Sequence, residues 1–237
     1  MVPLDTEATL RELDGTADPG VMRFDPGPAL LGRVAVLPSA FNPPTAAHLH
    51  LLEVAREAEG VGQTAALLST RNVAKGVFGA SLAHRVGMLL AVHAVDPWVA
   101  VLATNAARLV DQARALRAAY PASSFDFVVG HDTLIRLFDP IYYDDMGADL
   151  TAFFAQHRVI ATNRGDGSVE AVQAFVDTQA GDFADRIVVR EIDRHPASLS
   201  STSARQAVAG GLHPVSVPSP VADYIRDHAL YRDGATP

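Results

Sequence analysis

The stretch Leu37-Pro38-Ser39-Ala40-Phe41-Asn42-Pro43-Pro44-Thr45-Ala46-Ala47-His48-Leu49 decides the reading of this chain. It comes after the apolar, β-rich run Val34–Leu37 and leads into the amphipathic segment His48–Glu59, so it joins a strand to a helix. The two prolines set the entry, and Thr45 is a good N-cap for that helix. His48 then falls in the first helical turn, beside backbone N–H groups without intrahelical partners and at the positive end of the helix dipole. An imidazole donor at a helix N-terminus is in physical terms a phosphate site, and the small Ala46 and Ala47 let a ligand approach the backbone. The same residues also fit a plain strand–turn–helix connection with a capping threonine and an incidental histidine.

Outward from this loop the pattern repeats. Short apolar runs recur at Ala65–Leu68, Trp98–Leu102, Phe125–Val129, Val159–Ala161 and Ile187–Val189, each bounded by turn residues. Amphipathic segments lie between them, at Leu82–Val95, Ala106–Tyr120, Val169–Gln179 and Ser201–Ala209. Strands alternating with helices predict an α/β fold, an open parallel sheet with helices on both faces. Residues 1–31, with Pro19-Gly20 and Pro26-Gly27-Pro28, read as an irregular or partly helical extension. The core is expected over 32–198, with 199–237 a small C-terminal helical portion of the same domain. In such sheets ligands sit beyond the carboxyl ends of the strands. The loops after Leu37, Leu68, Leu102 and Val129 are therefore the places where chemistry is expected.

Composition narrows the classes. With 237 residues, 49% hydrophobic and 19% charged, the chain is long and apolar enough for one globular core. No apolar run approaches bilayer length, and the acidic residues of 1–30 do not make a signal peptide, so a cytoplasmic protein with no membrane partner is expected. The absence of cysteine excludes disulfides, thiolate metal sites and cysteine nucleophiles. A net charge of −8 argues against nucleic acid as the main partner, while a small anion needs only a local cluster of donors.

Such donors occur at the predicted strand ends. Arg71, Asn72 and Lys75 come after the second strand, either as an anion-collecting loop or as a solvated turn. Gly130-His131-Asp132 ends the fourth strand. The glycine permits close approach and the aspartate can accept from ribose hydroxyls, though Asp132 could equally cap the next helix. Ser200-Ser201-Thr202-Ser203-Ala204-Arg205 opens a late helix, with Arg205 one turn past Ser201 on the same face. Hydroxyls, N–H groups and a guanidinium there suit phosphate, or simply a well-capped surface helix with a solvent-facing arginine.

Taken in order, these landmarks resemble the nucleotidyltransferase superfamily marked by (H/T)xGH or HxGH motifs. Ser39 through Leu49 is similar to the GSFNPxTxxHL loop of the eukaryotic-type nicotinamide mononucleotide adenylyltransferases, with Ser39 where that family places glycine. Arg85 and Met88 reproduce an R-x-x-M pattern. Gly130, Asp132, Pro140 and Tyr143 match GADxxxxFxxPxLW with tyrosine for tryptophan. Leu199 through Arg205 resembles ISSTxIR, and Val217 through Tyr231 resembles the tail beyond it. Leu102-Ala103-Thr104-Asn105 stands where many relatives carry a threonine–tryptophan–glutamate stretch, and Trp98 reads as core. Only residues 1–31 and an insertion-like 144–156 fall outside.

The resemblance implies a Rossmann-like doubly wound parallel sheet, the nucleotidylyltransferase fold. It implies that Ala40, Phe41, His48, Gly130, Asp132, Arg164, Ser200, Ser201, Thr202 and Arg205 contact ATP. Ser39, Asn42, Arg71, Asn72, Lys75 and Tyr143 are then expected to hold the acceptor, with Tyr143 one wall around its ring. His48, Thr45, Lys75 and Arg205 are the expected catalytic group. The reaction so implied is transfer of AMP from ATP to nicotinamide or nicotinate mononucleotide, with release of pyrophosphate. An acceptor phosphate is already an anionic nucleophile, so positioning and charge neutralisation suffice, and the missing serine or cysteine triad costs nothing. Mg²⁺ is expected to bridge ATP oxygens and keep most of its waters, with no dedicated protein ligand set. The alternatives are a nucleotidyltransferase for another phosphate, such as phosphopantetheine or a phospho-alcohol, and a nucleotide-binding protein without turnover. The oligomeric state, a homo-oligomer included, is open at this stage.

Overall fold

The computed structural model describes residues 5–71, 79–163, 168–192 and 199–232. Seven strands form one sheet: β1 (Val21–Arg23), β2 (Gly32–Ser39), β3 (Val61–Ser69), β4 (Val99–Thr104), β5 (Ser123–Gly130), β6 (Arg158–Thr162) and β7 (Ile187–Arg190). Their order is β1-β4-β3-β2-β5-β6-β7, with β1 antiparallel to β4 and the remaining pairs parallel. Leaving aside β1, this is the doubly wound order, and its switch point lies between β2 and β5.

The strand register sorts side chains onto two faces, because successive residues point to opposite sides. Val34, Val36, Phe125 and Phe127 enter one core; Ala35, Leu37 and Val128 enter the other. Helices α2 (Ala46–Arg56) and α3 (Leu82–Val95) cover the second face, together with α1 (Thr6–Gly15). Helices α4 (Leu109–Ala119), α5 (His131–Leu137), α6 (Met146–Phe154) and α7 (Val169–Gln179) cover the first. Helices α8 (Ser201–Ala209) and α9 (Ser219–Asp227) pack on α3 through Met88, Val92, Ala204 and Val221. A Cβ at Gly87 of α3 would lie 2.2 Å from the Tyr224 hydroxyl, so glycine lets α9 come this close.

Beneath the sheet's opposite end, Asp126 is 0% exposed and held by Arg33 at 2.7 Å and Arg158 at 2.6 Å. That carboxylate ties β2, β5 and β6 at the switch point. Removing one partner of such a group costs about 3–5 kcal/mol.

The segments read in sequence as an extension and as an insertion have defined roles. The extension supplies α1 and β1, and the 144–156 stretch supplies α6, whose Leu150, Phe153 and Phe154 join the core. Helix α4 begins three residues later than its hydrophobic pattern suggests. The Thr104 hydroxyl accepts from Ala106 N–H, and the Ala106 carbonyl accepts from Ser69 and Gln112, which keeps 105–108 out of the helix.

Candidate active site

The loop between β2 and α2 has a specific internal geometry. Thr45 is the N-cap of α2 and His48 its third residue. His48 Nδ1 accepts from the Thr45 backbone N–H at 3.0 Å and lies 2.8 Å from the Thr45 hydroxyl. In the neutral ring this leaves the proton on Nε2, 3.0 Å from Ser39 Oγ. Thr45 is 0% exposed and His48 2%, so the threonine acts behind the histidine and not at the surface. The turn is made at Phe41, whose φ of 44° is left-handed and whose buried ring lies 5.0 Å from that of His48. The left-handed position is Phe41 itself; Ser39, set against a glycine by the resemblance, is still in the strand.

Asn42 joins this loop to three other parts of the chain. Its side-chain oxygen accepts from Ala80 N–H at 3.2 Å and from the Tyr231 hydroxyl at 2.9 Å. Its carbonyl accepts from Arg205 at 2.6 Å. Gly79 has φ 74°, and a Cβ there would lie 2.7 Å from the Asn42 amide, so this contact requires glycine. Burial, opposed by Arg85 and Arg205, holds the Tyr231 phenol above its ordinary range and keeps it a donor. One residue further along, Ser201 donates to the Pro43 carbonyl at 2.8 Å, and Ser200 caps α8 by accepting from Ser203 N–H.

A cavity of about 540 Å³ opens at the carboxyl ends of β2, β3 and β5. Of the residues expected from sequence, Ser39, Ala40, Phe41, Asn42, Arg71, Tyr143, Ser201, Thr202 and Arg205 line it together. Gly130 is the N-cap of α5, and Asp132 lies in that helix's first turn; the residues of α5 that face the cavity are Thr133, Arg136 and Leu137. His48 lies under the floor, against Ser39. Asn72, Lys75 and Arg164 fall outside the described residues.

Charge distinguishes this cavity from the rest of an acidic protein. Its described lining contains five arginines, Arg71, Arg85, Arg108, Arg136 and Arg205, and no aspartate or glutamate. Arg85 is 5% exposed and donates to the carbonyls of Ala80 and Ala40, so it braces the loop from behind. Arg108 pairs with both oxygens of Asp111 and donates to the Tyr142 carbonyl at 2.9 Å. Arg136 makes no ion pair among the described residues and stands at the rim. Tyr143 donates to the Leu137 carbonyl at 2.7 Å, and burial pushes its phenol up to about 12 against the pull of Arg108.

Sequence reasoning did not find Arg108, Gln112 or Arg136. Arg108 is the N-cap of α4, and Gln112 and Arg136 are single helical residues at no motif position, so only the fold brings them to the cavity. Asn105, in the stretch that the resemblance set against a threonine–tryptophan–glutamate segment, faces the extension. It accepts from Gly20 N–H at 2.7 Å and donates to Leu13, Thr16 and Asp18.

The doubly wound sheet thus carries a histidine at the N-terminus of α2 and an arginine-lined cavity at its switch point. Comparison with known proteins shows what shares this arrangement. No protein-family model matches the chain. A Schizosaccharomyces pombe protein provisionally named nicotinamide mononucleotide adenylyltransferase is 28% identical over 194 residues, covering 75% of this chain and 76% of that one. A Gemmatimonas aurantiaca protein provisionally named nicotinate-nucleotide adenylyltransferase is 26% identical, covering 85% and 93%. The solved nicotinic acid mononucleotide adenylyltransferase of Plasmodium falciparum, complexed with NaAD, superposes with a TM-score of 0.66 at 15% identity, covering 84% of this chain and 97% of that one. The same protein complexed with APC gives 0.64 at 14% identity, covering 84% and 96%. The chain therefore resembles the nicotinamide and nicotinate mononucleotide adenylyltransferases, in sequence across most of its length and in fold.

Proposed function

We propose that this chain is an enzyme that transfers AMP from ATP to nicotinamide or nicotinate mononucleotide. The observation that carries the reading is the cavity: five arginines and no carboxylate at the switch point of a protein whose net charge is −8. Five guanidinium groups around one space, with their carboxylate partners Asp14 and Asp111 outside its lining, favour a ligand bearing several phosphates. A volume of about 540 Å³ falls in the range of small-molecule sites.

An oxygen of the acceptor phosphate attacks the α-phosphorus of ATP, the bond to the β-phosphate oxygen breaks, and pyrophosphate leaves. No proton need be removed from the nucleophile. Thr45 holds His48 in one tautomer, so that Nε2–H, now shared with Ser39, is available to the α-phosphoryl oxygens as charge builds on them. Ser201, Thr202 and Arg205, at the start of α8, hold the departing pyrophosphate, with the helix dipole adding to the attraction. Gly130 and Asp132 seat the adenosine ribose at the end of β5. Arg71 and Tyr143 hold the acceptor, joined by Asn72 and Lys75, which follow Arg71 in the sequence, and Arg164 serves the nucleotide.

Hydroxyls, amides and guanidinium groups line the cavity, a donor set for phosphate oxygens and not for a bare cation. Among the described residues no cluster of three or more His, Asp or Glu could hold a metal ion. Mg²⁺ fits here as part of the ATP complex, supplying charge neutralisation between phosphates while these residues grip the nucleotide. No helix among the described residues is long and apolar enough to cross a membrane. A cytoplasmic location remains our proposal.

One observation favours the broader reading of another phosphate acceptor: Asn105 is committed to the extension, so it builds no second wall for a pyridine ring. Presenting ATP with both mononucleotides, phosphopantetheine and phospho-alcohols, and reading pyrophosphate release, separates the two. Release confined to the mononucleotides is expected; release with a phospho-alcohol instead moves the assignment to that class. Binding of ATP by calorimetry with no release across the panel would make the protein a non-catalytic nucleotide binder.

A further inference from the structure

Arg71 stands at the cavity edge, and one acidic residue of the N-terminal extension holds it. Its Nε donates to Asp14 Oδ1 at 3.0 Å, and its Nη2 donates to the Asp14 carbonyl. The Thr70 hydroxyl also reaches Asp14 Oδ1, at 3.3 Å. With Nε and Nη2 engaged, Nη1 is the guanidinium nitrogen with no hydrogen bond among the described residues. A planar guanidinium gripped along one edge has its opposite corner aimed, and Arg71 lines the cavity.

Asp14 is itself anchored from behind. Asn105, 3% exposed, accepts from Gly20 N–H and donates to the Leu13 carbonyl at 3.0 Å and the Asp18 carbonyl at 3.1 Å. The Thr104 hydroxyl donates to the Gly20 carbonyl at 2.8 Å, and β1 pairs with β4. The loop ends after β3 and β4, two edges of the cavity, are thus both bound to residues 13–20.

We infer that the N-terminal extension is a working part of the acceptor end of the site, with Asp14 the positioning residue that aims Arg71 at the acceptor's phosphate. This rests on the function proposed above. It opposes a simpler electrostatic expectation. If Asp14 acted only through its charge, it would offset Arg71, and removing it would tighten anion binding. If it acts by orientation, removing it loosens the guanidinium and weakens binding.

The two are separated by calorimetry of nicotinate and nicotinamide mononucleotide on the intact chain, its Asp14→Ala and Arg71→Ala variants, and the double variant. Orientation predicts that Asp14→Ala weakens mononucleotide binding roughly three- to fivefold, the scale of an exposed ion pair. It raises KM for the mononucleotide while kcat and the KM for ATP stay unchanged. It adds nothing once Arg71 is alanine. Asp14→Asn, which keeps an acceptor for Nε, restores part of the affinity. Equal or tighter binding by Asp14→Ala overturns the inference while leaving the proposed function intact. Failure of the intact chain to bind either mononucleotide overturns the proposed function and the inference with it.

Discussion

Arg205 and Asn42 are 163 positions apart in the sequence, yet Nη1 of the arginine donates to the asparagine carbonyl at 2.6 Å. With Ser201 donating to Pro43 beside it, the start of α8 and the histidine loop are joined by two hydrogen bonds. Separate loop ends of the sheet therefore meet beside the cavity.

Arg205 serves both the loop and, in our account, the leaving pyrophosphate. Arg205→Ala should lower kcat/KM for ATP at least tenfold, and Arg205→Lys should fall between, since lysine keeps the charge but loses the planar fork. Steady-state kinetics with varied ATP decide this. A twofold or smaller change in Arg205→Ala would remove Arg205 from the mechanism.

His48→Ala should cost about 10²–10³ in kcat, the scale for losing one preorganised donor to a developing charge. Thr45→Val should cost less, because the Thr45 backbone N–H still holds Nδ1. The order of the two variants in single-turnover assays is the measurement. An equal or larger loss in Thr45→Val would mean that the hydroxyl, and not the imidazole, contacts the nucleotide.

His157 makes stability depend on pH. Burial among Phe125, Phe127 and Phe153, only partly opposed by a backbone hydrogen bond to Phe125, pushes its imidazole down to about 4 from an ordinary 6.5. Between those values the unfolded chain binds a proton that the folded chain refuses. Its contribution is thus complete above 6.5 and declines by about 1.4 kcal/mol per pH unit as the pH falls toward 4. Melting curves from pH 7 to pH 5 should fall more steeply for the wild type than for His157→Phe. Parallel curves would show that this histidine is not the source.

The strands β2 to β7 were legible because each is a short apolar run bounded by turn residues, and the doubly wound order came from the family resemblance. Strand β1 was not legible. Val21–Arg23 is three residues long, only partly buried and at a sheet edge, so it carries no hydrophobic pattern of its own. Helix α6 is visible only in its core contacts, since Leu150, Phe153 and Phe154 gain meaning once Phe127 is known to face them. At the site, the loop before His48 and the helix start bearing Arg205 meet through Asn42 and Pro43. Arg108, at the N-cap of α4, and Arg136, within α5, did not stand out, because a lone arginine is most often solvated. Asn105 was given no role for a related reason: its partners lie 85 to 92 positions away.

The fate of the α-phosphorus tests the central claim most directly. The purified chain is incubated with Mg²⁺, nicotinate or nicotinamide mononucleotide, and ATP labelled at the α-phosphorus, and the products are separated. The account predicts label in the dinucleotide, deamido-NAD or NAD, with unlabelled pyrophosphate released in equal amount. Label that stays in ATP, or leaves as free AMP with no dinucleotide formed, would contradict it.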